Sequence, residues 1–238
     1  MEQKTHWIRS EKKAVKSMHW SLSDFRGNGK DMLVFVGAPL EVNGKLYNVA
    51  AAMNQGEILG FTTKTFLPNY GEFYEMRHFE PANEELDYIE YPGEEEQEWI
   101  PFGIQQIFYC PQMEGLTVAA EICEDLWVPQ PPSITHAIAG ANVIVNLSAS
   151  DEITGKDSYR RNLVGGQSAR LVCGYIYADA GEGESSTDLV FAAHNLIAEN
   201  GTILTQSKRF ENEIVTADLD IHRIRAERRR MTTYPTTQ

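Results

Sequence analysis

The pattern of apolar and polar positions predicts a chain of many strands, with most helices in its second half. Residues 31–40, 45–54 and 57–67 are apolar segments, and we expect each to contain a strand. Asn43-Gly44 and Gln55-Gly56 separate these segments and are typical of tight turns between strands. Residues 84–98, by contrast, carry eight acidic side chains with little apolar periodicity, which predicts a solvated surface loop.

Strands and helices are interleaved in the rest of the chain. The predicted strands are residues 103–110, 116–123, 142–150, 173–181, 188–204 with a turn at 199–201, and 212–220. The predicted helices are residues 12–25, 133–141, 157–172 and a basic segment after 220. This order favours an α/β layered fold over an all-β barrel. We expect a helical or irregular segment at 1–30 and one domain over 31–238.

The net charge of the protein limits the classes of binding partner that we expect. The 238 residues include 21 basic and 34 acidic side chains, a net charge of −13, which repels phosphate backbones and anionic membranes. Nucleic acid and membrane are therefore excluded as expected partners, the more so because no apolar run approaches the roughly 20 residues of a membrane span. The five arginines between Arg223 and Arg230 are interpreted as a solvated helix face or a domain contact.

The cysteines indicate a reducing compartment, and we expect a cytoplasmic protein. Cys110, Cys123 and Cys173 are odd in number and lack CxxC spacing, so neither a disulfide framework nor a structural zinc site is predicted. The Cys and His positions lack metal-ligand spacing, and we expect no metal and no organic cofactor.

Cys123 is the candidate nucleophile because it ends a predicted strand, where α/β folds gather reactive groups. A free thiol is only a few per cent thiolate at neutral pH, so it needs a neighbouring base or cation. His136 and His194 are candidate bases, and Lys64 is a candidate cation at the end of another strand-like segment. From the residues alone, a buried structural cysteine and a surface lysine are the alternatives.

Five sequence motifs, two of which contain Cys123 and Lys64, occur in the order found in a known family. Together they resemble the glutaminase domain of glutamine-dependent NAD synthetases, a branch of the nitrilase or carbon-nitrogen hydrolase superfamily, from about Leu33 to Tyr234. The motifs are "KTFLPNYGEFYEMRHFEP", "ICEDLWVP", "NLSASDEITGK", "YADAGEGESSTDLVFAAHNLI" and "AERRRMTTY". The resemblance implies a nitrilase-like αββα sandwich, a Glu-Lys-Cys triad and hydrolysis of L-glutamine through a cysteine thioester. Residues 31–238 then form a partial carbon-nitrogen hydrolase domain.

The same resemblance assigns residue roles. Cys123 is the nucleophile and Lys64 the catalytic lysine, and both are expected to face one small pocket. The residues implied around the substrate glutamine are Tyr70, Glu124, Ser150 and Lys156, with Glu72 as a carboxylate behind the triad. Without the resemblance, a helix cap is the favoured interpretation of Ser150 and a solvated surface charge that of Lys156, while Tyr70 packs across the turn and Glu124 stabilises it as alternatives.

Two parts of the family pattern have no counterpart in the sequence. Residues 1–30 contain no segment like the one that carries the family's general-base glutamate, and we expect the first strand and helix of the domain to be missing. No phosphate-binding loop of a synthetase domain follows, so ATP and the NAD precursor are expected to bind elsewhere. A synthetase domain or subunit and a homo-oligomer are the expected protein partners. A non-catalytic assembly module, or an enzyme for another small amide or nitrile, are the alternatives.

Overall fold

The computed structural model describes residues 32–82, 87–92, 97–184 and 189–235. They form two compact units, the first ending at Gln106 and the second beginning at Ile107. The predicted helix at 12–25 and the segment expected to lack the glutamate base lie outside the described residues. No described helix is long and apolar enough to cross a membrane.

The first unit contains a five-stranded mixed sheet in the order β1-β2-β3-β5-β4. Its strands are β1 (Val34–Val42), β2 (Lys45–Asn54), β3 (Glu57–Thr63), β4 (Asp87–Pro92) and β5 (Gln97–Gly103). The three predicted strands at its start are confirmed, and β1 and β2 pair as an antiparallel hairpin. The turn is Asn43-Gly44, where both φ angles are positive, +53° and +74°. Asn and Gly tolerate this left-handed conformation best, so this pair closes the hairpin with little strain.

The surface loop predicted for the acidic segment at residues 84–98 is wrong where the structure describes that segment. Within it, Asp87–Pro92 and the start of Gln97–Gly103 are paired antiparallel strands. Tyr91 and Ile100 are buried in the apolar cluster of the first unit, whereas Tyr88 and Trp99 are exposed. One buried apolar face is enough to hold two strands in a sheet, because side chains alternate along a strand. Residues 83–86 and 93–96 lie outside the described part of the chain.

The second unit contains a six-stranded mixed sheet in the order β11-β10-β9-β8-β7-β6. Its strands are β6 (Phe108–Tyr109), β7 (Thr117–Ile122), β8 (Val143–Ser148), β9 (Gly174–Asp179), β10 (Leu196–Glu199) and β11 (Thr202–Gln206). Its helices are α1 (Pro132–Ile138), α2 (Lys156–Leu171) and α3 (Ile221–Arg230). β7, β8 and β9 run parallel, so their carboxyl ends lie at one edge of the sheet. The two mixed sheets with helices confirm the predicted α/β class.

Three other strand predictions fail in whole or in part. Within residues 104–110 of the strand predicted at 103–110, only Phe108–Tyr109 forms one, paired with β7. The prediction of a strand at residues 212–220 is wrong: these residues form none, and Ile214 is 93% exposed. The predicted strand at 188–204 is correct only from Leu196 onward, where β10 and β11 form the expected hairpin. Apolar alternation identifies a segment able to enter a sheet, but a strand also needs a neighbour with which to exchange hydrogen bonds.

Arg228 joins α3 to the ends of the other two helices. Its guanidinium donates to the carbonyls of Ala141 (2.8 Å), Leu171 (2.9 Å) and Val172 (3.0 Å). These carbonyls lie at or just after the carboxyl ends of α1 and α2, where helices leave acceptors without helical partners. The basic helix is thus a contact within the unit at Arg228, in agreement with one of the two predicted interpretations.

We expect Arg228→Met to lower the free energy of unfolding by about 2 to 4 kcal/mol, because several main-chain carbonyls lose a charged donor at once. Urea denaturation monitored by circular dichroism measures the change. Arg229→Met is the matched control, since the next arginine is exposed and its loss should change stability by less than about 0.5 kcal/mol. Equal losses in the two variants would contradict the anchoring role.

Candidate active site

Cys123 lies on a strained turn at the carboxyl end of β7. Its φ angle is +46°, in the left-handed region, which costs a residue with a side chain about 1 to 2 kcal/mol. The residue opens a short 3-10 turn, Cys123–Leu126, and the Asp125 carboxylate accepts the N–H of Ile122 at 2.9 Å. The thiol-bearing residue is half-buried. Such a turn lifts a side chain out of the strand direction, and backbone strain of this kind clusters at functional sites.

A buried polar chain lies behind this turn. The Asn146 side chain on β8 accepts the N–H of Cys123 at 3.2 Å, and its amide nitrogen lies 3.5 Å from the Cys123 carbonyl and 3.3 Å from the Tyr175 hydroxyl. The Tyr175 hydroxyl donates to Glu121, whose other oxygen accepts the N–H of Ser133 at 2.9 Å. Asn146, Tyr175 and Glu121 are each at most 1% exposed. This chain of hydrogen bonds therefore connects the Cys123 turn to the first turn of α1.

Burial shifts the pKa values of Glu121 and Tyr175, the two ionisable groups of this hydrogen-bonded series. Desolvation raises the pKa of Glu121, although hydrogen bonds from Tyr175 and Ser133 oppose the shift. Desolvation also raises the pKa of Tyr175 well above its usual range, and the neighbouring Glu121 carboxyl adds to the effect. The Tyr175 hydroxyl consequently keeps its proton and acts as a hydrogen-bond donor.

Lys64 forms a buried ion pair in the first unit. It follows β3, where its N–H donates to the Asn48 carbonyl at 2.8 Å, and its side chain is only 1% exposed. Its ammonium lies 2.5 Å from one carboxylate oxygen of Glu75, and the Asn48 side chain donates to the other at 3.3 Å. A lysine is rarely buried unless it is paired, so the alternative of an ordinary surface lysine does not apply.

The loop after Lys64 carries two more predicted site residues. Tyr70 is 61% exposed, and Glu72 is exposed as well. The carboxylate that contacts Lys64 is that of Glu75, three residues after Glu72. Glu75 begins a short 3-10 turn, and its N–H donates to the Pro68 carbonyl at 3.1 Å, which turns its side chain back toward the end of β3.

Ser150 and Lys156, predicted to bind substrate, lie in the second unit between β8 and α2. Ser150 is 2% exposed, and its N–H donates to Asp179 at 3.0 Å. Lys156 is the first residue of α2, with its ammonium paired to Asp151 and 5.2 Å from the centre of the Trp127 ring. Trp127 follows Cys123 by four residues, so this contact relates Lys156 to the Cys123 turn. Glu124 is half-buried in the same turn.

A fully buried arginine supports the Ser150 segment. The Arg160 guanidinium donates to Glu152 at 2.9 Å, to the Asp151 carbonyl at 3.2 Å and to the Ser150 hydroxyl at 3.4 Å. Asp179 lies 3.8 Å from it, and burial raises the pKa of Asp179 to about 6 despite that charge. His194, considered above as a base for Cys123, has its Nδ1 3.0 Å from Arg160, and burial followed by the Arg160 charge lowers its pKa.

The three thiols differ in environment, which predicts selective labelling. Cys173 is fully buried, and desolvation raises the pKa of its thiol to about 12, so roughly one molecule in 10⁴ is thiolate at pH 8. We expect iodoacetamide at pH 8 to modify the half-buried Cys123 and Cys110 in the folded protein and to leave Cys173 intact. Peptide mass spectrometry reads the result, and urea-unfolded protein, in which all three react, is the control. Early modification of Cys173 would contradict this assignment.

Known proteins resemble this chain in sequence. Residues 28–229 match the family model for carbon-nitrogen hydrolases. The glutamine-dependent NAD(+) synthetase of Mycobacterium tuberculosis is 40% identical over 218 residues, which is 90% of this chain and 32% of that protein. The Mycobacterium leprae protein of the same name is 42% identical over 205 residues, 85% of this chain and 29% of its own.

Solved structures extend the likeness to the fold. A glutamine-dependent NAD(+) synthetase from Cytophaga hutchinsonii superposes with a TM-score of 0.67 at 26% identity, covering 82% of this chain and 30% of that one. A carbon-nitrogen hydrolase from Helicobacter pylori G27 has a TM-score of 0.74 at 15% identity, covering 95% and 74% of the two chains. The second likeness concerns the fold alone.

The chain belongs to the carbon-nitrogen hydrolase family, and the predicted nitrilase-like fold class is confirmed. Within that family, its relatives named above are glutamine-dependent NAD(+) synthetases, of whose length it spans about 30%. The resemblance inferred from the five motifs is therefore confirmed.

Sequence reasoning missed three functional candidates: Glu75, Asn146 and Arg160. Glu75 and Asn146 stand inside quoted motifs, but nothing in their spacing indicates which polar residue faces inward. Arg160 stands on a helix of mixed polarity, beside the exposed Arg161. A polar residue at an apolar position of a predicted strand, such as Asn146 in "NVIVNLS", is the one signal that was available.

Proposed function

We propose that this chain hydrolyses L-glutamine and serves as the ammonia-supplying part of a glutamine-dependent NAD synthetase. Cys123 is the nucleophile and Lys64 the catalytic lysine in this proposal. The observation that carries it is the left-handed turn that places Cys123 at the carboxyl end of a parallel strand, ahead of the buried Asn146 chain. Family membership and the names of the relatives supply the reaction class and the substrate.

The chemistry is acyl transfer to sulfur followed by hydrolysis. The Cys123 sulfur attacks the side-chain carbonyl carbon of glutamine and a C–S bond forms, while the C–N bond breaks and ammonia leaves with the proton that the thiol gave up. Water then attacks the thioester, releases glutamate and returns the proton to sulfur. The main-chain N–H of Glu124, the residue directly after the nucleophile, is the proposed donor to the oxyanion. Tyr70, Ser150 and Lys156 are the proposed contacts of the amino-acid end of glutamine.

The test is incubation of the purified chain with L-glutamine, with glutamate and ammonia measured separately. We expect the two products in equal amounts, and L-asparagine, one methylene shorter, to react at least about tenfold more slowly. A diazoketone analogue of glutamine should label Cys123 in the folded protein, as read by peptide mass spectrometry. If the protein forms neither product and takes up no label, the proposal is overturned and the non-catalytic assembly module is favoured. Faster turnover of another small amide would reassign the substrate.

The buried Lys64–Glu75 pair predicts a loss of rate on its removal. The double variant Lys64→Met, Glu75→Gln leaves no unpaired charge, and we expect kcat for glutamine to fall about 10²- to 10³-fold because the cation no longer stabilises developing negative charge. The matched control is Lys45→Met, Glu80→Gln, which removes an ion pair of 3.5 Å that is 58% and 49% exposed. An equal rate in both double variants would exclude Lys64 from the reaction.

A further inference from the structure

Asn146 contacts both main-chain polar groups of the proposed nucleophile. Its side-chain oxygen accepts the Cys123 N–H, and its nitrogen faces the Cys123 carbonyl from the neighbouring strand. A residue in the left-handed region loses the hydrogen bonds that a strand would have given it, and a single amide side chain here replaces them. The strained conformation therefore persists because a buried side chain from another strand occupies both groups.

The orientation of that amide follows from hydrogen-bond direction. A tyrosine hydroxyl has one proton, and Tyr175 donates it to Glu121. The Tyr175 oxygen can then only accept, so the group of Asn146 that faces it is the NH₂ group. This leaves the Asn146 oxygen for the Cys123 N–H, which needs an acceptor. Glu121 is held in turn by the N–H of Ser133.

We propose that Asn146 is a positioning residue for Cys123, and that Glu121 and Tyr175 position Asn146 by allowing only one orientation of its amide. The inference rests on the proposed role of Cys123 as nucleophile. It adds residues that act through main-chain geometry without touching the substrate. It also gives a reason for the burial of the Glu121 carboxylate two residues before the nucleophile. A hydrogen-bond acceptor at that place fixes the direction in which Tyr175 and Asn146 donate their hydrogen bonds.

The test uses three variants that keep side-chain size: Asn146→Asp, Tyr175→Phe and Glu121→Gln. The first removes the NH₂ group, and the second removes the hydroxyl that it faces. The third replaces one carboxylate oxygen of Glu121 with an NH₂ donor, so that Tyr175 and Ser133 are left with a single acceptor between them. All are made in a Cys110→Ala background, so that Cys123 is the one alkylated thiol of the folded protein. Two readouts are measured, the pH profile of Cys123 alkylation by iodoacetamide and the kcat and KM for glutamine.

We expect kcat to fall about tenfold to a hundredfold in each variant, with KM changed less than about threefold, because a misplaced nucleophile slows the reaction more than binding. The alkylation profile should differ from that of the parent in all three variants. Tyr234→Phe is the matched control: it also removes a hydroxyl that contacts two main-chain carbonyls, those of Ala137 and Leu171, but these belong to helices α1 and α2. Its alkylation profile and kcat should equal those of the parent.

Wild-type kinetics and alkylation in all three variants, once folding is verified by thermal melting, would overturn the inference. Loss of folding in all three, with a folded Tyr234→Phe, would also overturn it and assign the chain a purely structural role. Absence of glutamine turnover in the parent protein would defeat the proposed function alone, since the alkylation profile still reports whether Asn146 controls Cys123.

Discussion

Cys123→Ala is expected to abolish glutamine hydrolysis, with a loss of kcat on the order of 10⁴-fold or more, because no thioester can form without the sulfur. Stability should change little, since Cys123 is half-buried at the start of a turn. Loss of the thiol leaves the Asn146 contacts intact, because they are made to main-chain atoms. Ammonia release under saturating glutamine measures the effect.

Cys110→Ala is the matched control for this loss. Cys110 is the other half-buried thiol, and its sulfur makes a weak contact with Gln112 at 3.7 Å. We expect full activity in that variant. Cys123→Ser, which keeps a hydroxyl in place of the thiol, should be nearly as inactive as Cys123→Ala because an alcohol is a much weaker nucleophile without a strong base. Activity that survives Cys123→Ala would refute the assignment of the nucleophile.

Arg160→Met should cause the largest loss of stability among single substitutions in the second unit, about 3 to 5 kcal/mol of unfolding free energy. The reason is the cluster that it leaves behind: Glu152 and Asp179 have side chains 6% and 0% exposed and would lose their buried cation. Urea denaturation at pH 7 measures the loss. Methionine fills a similar volume, so the effect reports charge and hydrogen bonding more than cavity formation.

Arg161→Met separates this effect from a general response to losing an arginine from α2. Arg161 is the next residue and is exposed, with its guanidinium donating to Gln206 at 2.6 Å. We expect its substitution to change stability by less than about 1 kcal/mol. Arg160→Lys should be intermediate, because one ammonium cannot reproduce the planar set of donors that contacts Glu152, Asp151 and Ser150. Comparable losses in the two methionine variants would contradict the buried-cluster argument.

Local pattern predicted the fold best where the pattern and the tertiary surroundings agree. β2 is found at the predicted residues 45–54, and α2 lies within one residue of its prediction. Both segments are bounded by glycine turns or a strand, so their ends are marked in the sequence itself. The predictions failed where pairing decided the outcome. Acidic residues 87–92 became a strand because β5 pairs with them, and apolar-polar alternation at 212–220 gave none because no strand pairs there.

The candidate site divides in the same way. Cys123 and Lys64 could be proposed from the sequence because each ends a strand-like segment within a recognisable motif. Glu75 could not be preferred to Glu72, because the choice depends on a 3-10 turn that directs one carboxylate toward Lys64. Arg160 could not be told from Arg161, since helix periodicity does not state which long polar side chain is buried.

The sequence by itself determined the α/β class, the family and the motif positions of the nucleophile and the lysine, because periodicity and motif order are local properties. Tertiary structure alone decided that Asn146 contacts Cys123 across 23 residues and that Tyr175 reaches Glu121 across 54. Such contacts depend on which strands become neighbours and which polar groups are removed from water together. A buried polar group needs a hydrogen-bond partner, which the fold can supply from a distant part of the sequence. The residues next to it in the sequence therefore do not predict which partner it has.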